Sequence, residues 1–64
     1  MQVNGKNFDI KEIKTLDEFL KENNYNINRI VVELNGEIIS KENYDKIKIK
    51  NEDVIEVLNF VGGG

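Results

Sequence analysis

The chain has 64 residues, nine Lys and Arg against twelve Asp and Glu, a net charge of −3, and no Cys or His. That length allows one domain with a small core, and the missing residue types exclude a disulfide, the commonest zinc ligands, a thiol nucleophile and an imidazole base. The net charge has the wrong sign for a phosphate-binding surface, no stretch approaches the roughly 20 apolar residues of a membrane span, and Met1 leads straight into strand-like sequence without a signal-peptide pattern, so a cytoplasmic protein that binds neither nucleic acid nor membrane is expected.

The opening M-Q-V-N-G-K-N-F-D-I predicts a hairpin. Asn4-Gly5 suits a two-residue type I′ turn, which needs positive φ at both central positions. Met1 and Val3 then share one face, with Phe8 and Ile10 supplying that face on the return strand.

T-L-D-E-F-L-K-E-N-N predicts a helix. Thr15 is its N-cap and Glu18 completes a capping box. Leu16, Phe19 and Leu20 form one apolar stripe at helical spacing, read as core packing. Asn23 and Asn24 can end the helix, because Asn tolerates the left-handed conformation.

R-I-V-V-E-L-N-G-E-I-I predicts a strand, a turn at Asn35-Gly36 and a second short strand. Ile30, Val32 and Leu34 alternate with Val31 and Glu33, and the charge on Glu33 marks the outward side. A polar loop or single helical turn follows, anchored by Tyr44. Ile47–Ile49 is a brief extended piece whose lysines are its solvated side, and Asn51-Glu52-Asp53 is a turn. Residues 53–61 form the last strand.

The order β-β-α-β-β places one apolar helix stripe on one face of a sheet. The first and last strands lie most simply as parallel neighbours at its centre, with a right-handed crossover. The expected fold is α+β, a β-grasp (ubiquitin-like) mixed sheet, with a domain over 1–61 and a flexible glycine tail over 62–64.

The last strand carries the functional signal. Ile55 and Val57 fall on the core face, and Val54, Glu56, Leu58 and Phe60 on the other. A sheet covered on one side should be polar on its far side. Leu58 and Phe60, with Val61 beside them, break that rule next to the terminus and predict a partner-binding patch. Glycine has no Cβ, so Gly62 and Gly63 can thread a narrow channel, and the carboxylate of Gly64 is unhindered.

M-Q-V-N-G-K at the start, L-N-G-E-I-I in the middle and D-V-I-E-V-L-N-F-V-G-G-G at the end resemble the ThiS family, the sulfur carriers of thiamine biosynthesis, over essentially the whole chain. The resemblance implies that the Gly64 carboxylate is the reacting group. A ThiF-type adenylyltransferase would activate it with ATP, and sulfur relayed from a cysteine desulfurase would displace AMP to leave a thiocarboxylate. A ThiG-type thiazole synthase would then consume that sulfur. Gly63 matches the family's second glycine, while Gly62 is additional. On this reading the chain is a co-substrate rather than an enzyme, monomeric when free. It binds no cofactor or metal itself, since ATP and Mg²⁺ belong to the activating partner. A MoaD-like carrier for molybdopterin synthesis, a ubiquitin-like modifier, and an interaction module with an inert tail remain alternatives.

Overall fold

The computed structural model describes residues 1–60. The expected domain boundary after residue 61, and the tail at 62–64, lie outside the described residues. The elements are β1 (Gln2–Val3), β2 (Lys6–Asn7), β3 (Lys14–Thr15), α1 (Leu16–Glu22), β4 (Ile30–Leu34), β5 (Glu37–Ile39), β6 (Lys48–Ile49) and β7 (Val54–Asn59), with 3-10 turns at Ile27–Arg29 and Lys41–Asn43. A five-stranded sheet runs in the order β2-β1-β7-β4-β5. The first and last strands pair in parallel, Gln2 with Val54 and Val3 with Ile55. The other pairs in this sheet are antiparallel. This is the mixed β-grasp sheet that the sequence predicts.

Both Asn-Gly dipeptides turn hairpins, with positive φ at Asn4 (52°) and Gly5 (81°) and at Asn35 (51°) and Gly36 (88°). Each asparagine also holds β7. Asn4 N–H donates to the Ile55 carbonyl at 2.9 Å, and Val57 N–H donates to Asn4 Oδ1 at 2.7 Å. A continuing parallel strand would offer Val57 a main-chain carbonyl there; the side chain replaces it as β1 turns away. On the other flank Asn35 N–H donates to the Val54 carbonyl at 2.7 Å, and Val54 N–H donates to Asn35 Oδ1 at 2.9 Å. The central strand is therefore clamped from both sides by the same device.

Helix α1 begins with the predicted capping box: Glu18 N–H donates to Thr15 Oγ1 at 3.1 Å, and Thr15 N–H to Glu18 Oε1 at 2.9 Å. Loss of such a cap costs about 1 kcal/mol. The helix ends at Asn23, with Asn24 at φ 65°. Leu16, Phe19 and Leu20 are buried against Val3, Ile30, Val32, Ile55 and Val57, and Tyr44 and Ile49 close the same core. Truncating a fully buried Phe such as Phe19 costs about 3–5 kcal/mol.

Three features differ from the sequence reading. The return strand β2 stops at Asn7, so Ile10 reaches the core from a loop, held by Ile10 N–H to Asn51 Oδ1 at 3.0 Å and Asn51 Nδ2 to the Ile10 carbonyl at 3.1 Å. Phe8 stands edge-on to Phe19, ring centres 5.4 Å apart at 81°, but stays partly exposed. Strand β3 pairs with β6 in a separate two-stranded sheet, so the predicted extended piece at 47–49 has a partner that sequence patterning did not supply.

Candidate functional site

Among the described residues nothing covers the face of the sheet away from α1, where Leu58, Phe60 and Ile38 are exposed, and β7 runs along it. Its side chains alternate as predicted: Ile55 and Val57 are buried, while Val54 (45% exposed), Leu58 (55%) and Phe60 (49%) are not. Leu58 lies opposite Val31 of β4. Phe60 N–H donates to the Arg29 carbonyl at 3.0 Å, which carries the antiparallel ladder one rung past the end of β7. This holds the main chain in register up to Phe60, the last described residue.

An apolar strip results, with Phe60 just past the end of β7, Leu58 and Val31 beside it, and Ile38 (71% exposed) on the neighbouring β5, opposite Glu33. Tyr44 does not cover it, because that ring is buried in the core on the helix side. Burial pushes the Tyr44 phenol above its ordinary range, against the opposing effect of a hydrogen bond with the Val32 backbone. Next to the strip, Glu33 and Glu56 face each other directly across β4 and β7. Like charges in that position oppose pairing, and among the described residues no salt bridge neutralises either.

Asp53 anchors the start of the same strand. The sequence reading placed it in a turn and then in the strand, without a role. It is 3% exposed and accepts from Asn35 Nδ2 at 3.0 Å, Lys50 N–H at 2.9 Å and Lys50 Nζ at 3.2 Å. Burial pushes its carboxyl up, but the donors from Asn35 and Lys50, together with the Lys50 charge, outweigh that and hold it below its ordinary value. One carboxylate thus ties the second Asn-Gly turn to the base of β7.

The structure therefore brings Leu58 and Phe60 together on an open face. Val61, Gly62, Gly63 and Gly64 lie outside the described residues. Sequence reasoning did not add Ile38 to the strip; the signal was the Ile38-Ile39 doublet, since neighbours in a strand point to opposite faces. Val31 was readable from the same alternation. A groove of about 280 Å³ lies elsewhere, between Ile10–Ile13 and Lys50–Glu52. Among the described residues, no acidic cluster is arranged to hold a metal ion, and no helix is long and apolar enough to cross a membrane.

Comparison with known proteins points to one family. The model of the ThiS family matches residues 1–64. The sulfur carrier protein ThiS of Bacillus subtilis (strain 168) is 38% identical over 65 residues, covering 100% of this chain and 98% of that protein. The crystal structure of the thiamine biosynthesis protein ThiS from Geobacter metallireducens superposes with a TM-score of 0.84 at 35% identity, over 98% of this chain and 96% of that one. A thiazole synthase of Paramagnetospirillum magneticum is 29% identical over 62 residues, covering 97% of this chain and 19% of that protein.

Proposed function

This chain belongs to the ThiS family and is a sulfur carrier of thiamine biosynthesis, and we propose that the Gly64 carboxylate is the atom group that carries the sulfur. The chain's own residues supply no thiol for the task, since it has no Cys. A carboxylate is a poor electrophile at rest. Attack of its oxygen on the α-phosphorus of ATP, with pyrophosphate leaving, gives an acyl-adenylate with a good leaving group. A persulfide sulfur of the donor then adds to the carbonyl carbon and AMP departs, leaving an acyl disulfide. A second thiol of the donor system attacks that disulfide, releasing the thiocarboxylate and ending as a disulfide itself. ATP and Mg²⁺ are held by a ThiF-type adenylyltransferase, and the sulfur comes through a cysteine desulfurase relay. Gly62 and Gly63 carry no Cβ to obstruct entry into the partner's active site.

The observation that carries this reading is the exposed pair Leu58 and Phe60 on the strand that leads to the tail. An apolar strip on the strand that precedes the reacting terminus suits docking. Glu33 and Glu56, which no salt bridge neutralises among the described residues, favour a partner surface with cationic groups beside an apolar recess. The chain is a co-substrate in this scheme. A ThiG-type thiazole synthase is the acceptor, in keeping with the thiazole synthase that contains a similar segment. Free in the cytoplasm, the carrier is monomeric.

Intact-mass measurement tests the assignment. The full chain, incubated with adenylyltransferase, ATP and a sulfur donor, should gain the mass of one oxygen-to-sulfur exchange. A chain lacking Gly63 and Gly64 should stay unmodified while melting at the same temperature. Sulfur acquired by the truncated chain would refute the assignment.

A further inference from the structure

The two Asn-Gly turns share a backbone geometry but not a side-chain environment. An Asn followed by Gly can lose its amide without any enzyme, because no Cβ on the next residue hinders approach of that residue's nitrogen to the Asn side chain. At Asn35 both side-chain atoms are engaged: Oδ1 accepts from Val54 N–H at 2.9 Å and Nδ2 donates to the buried Asp53 carboxylate at 3.0 Å. At Asn4, Oδ1 accepts from Val57 N–H at 2.7 Å, and among the described residues no hydrogen bond holds Nδ2, the group that would leave. The flanking strands differ as well. Asn4-Gly5 joins β1 and β2, of 2 residues each, whereas Asn35-Gly36 joins the 5 residues of β4 to the 3 of β5.

We propose that Asn4 is a site of spontaneous deamidation and that Asn35 is the protected one. The Gly5 main-chain nitrogen attacks Asn4 Cγ and its proton is lost; ammonia leaves with the amide nitrogen, closing a succinimide. Water then opens the ring at either carbonyl, giving aspartate or isoaspartate. Nothing is oxidised or reduced, and water is the only co-reactant. The aspartate product keeps an oxygen for Val57 N–H. The isoaspartate product adds a carbon to the main chain inside a two-residue turn whose geometry sets the hairpin register. It thereby removes the rung at Val57, next to Leu58. Ageing at this one residue loosens the strand that presents the open face.

The test is peptide mapping of the full-length folded chain during storage at mildly alkaline pH, with isoaspartate labelled by an isoaspartyl methyltransferase. Conversion at Asn4 should outrun that at Asn35 by roughly tenfold or more, the ratio that one extra hydrogen bond to a charged group implies. Equal rates, faster conversion at Asn35, or an unconverted Asn4 would overturn the proposal. As a second readout, the isolated isoaspartate-4 form should melt below the wild type, while Asn4→Asp should melt close to it. An isoaspartate form that melts like the wild type would refute the proposed loosening of β7.

Discussion

Along β7, Ile55 and Val57 are buried against α1, while Leu58 and Phe60, within five residues of them on the opposite face, are about half exposed. The same backbone ladder positions both sets, so backbone order does not separate them. What separates them is the side-chain alternation of a strand and the presence of a helix on only one face. The inward set stabilises the fold by burying apolar area. The outward set adds less to stability, since about half of its area stays in water, and that exposed half can meet a partner at the C-terminal end of β7.

Substitutions should split along that line. The largest stability effect is expected at Ile55, which is fully buried. Ile55→Ala should lower unfolding free energy by about 2–5 kcal/mol in a urea titration, a large part of the total for so small a domain. A loss below about 1 kcal/mol would mean that the inner face is not the core described here.

Asp53 comes next, because it stabilises the strand through polar contacts. Asp53→Ala strands the Asn35 amide and the Lys50 N–H, which should cost about 1–3 kcal/mol. The pH dependence sharpens the distinction. The folded carboxyl titrates below its ordinary value of 3.8, so its contribution is complete above that value and is lost as pH falls through the lower folded value. Thermal melts should therefore lose this contribution below about pH 4. Asp53→Asn should flatten that limb; an unchanged acid limb in this variant would show that other carboxyls control it.

Much of this architecture is legible in the sequence because local chemistry dictates it. Asn4-Gly5 and Asn35-Gly36 specify their turns through positive φ, Thr15 and Glu18 specify a helix start, and the alternation in V-I-E-V-L-N specifies the two faces of β7. The rest depends on contacts distant in sequence. Lys14–Thr15 has no strand pattern and becomes β3 only by pairing with Lys48–Ile49. Ile10 is positioned by Asn51, 41 residues away. The burial of Asp53 depends on Asn35, 18 residues away. The candidate site was legible at Leu58 and Phe60, whose parity can be counted, but not at Ile38, because the doublet does not say which Ile faces out. The functional expectation at Gly64 joined local chemistry, an unhindered carboxylate after glycines without a Cβ, to the resemblance of the whole tail to a family.

The smallest stability change belongs to the outer face, and there the functional change should be greatest. The most direct measurement is the rate of thiocarboxylate formation at Gly64, followed by intact mass, for Phe60→Asp beside the wild type, with a melting curve for each. The variant should melt within the range of about 0.5 kcal/mol typical of surface substitutions, yet need a much higher carrier concentration for half-maximal conversion. A variant that unfolds more easily, or that is converted at the wild-type rate at low concentration, would contradict the assignment of β7's outer face to partner docking.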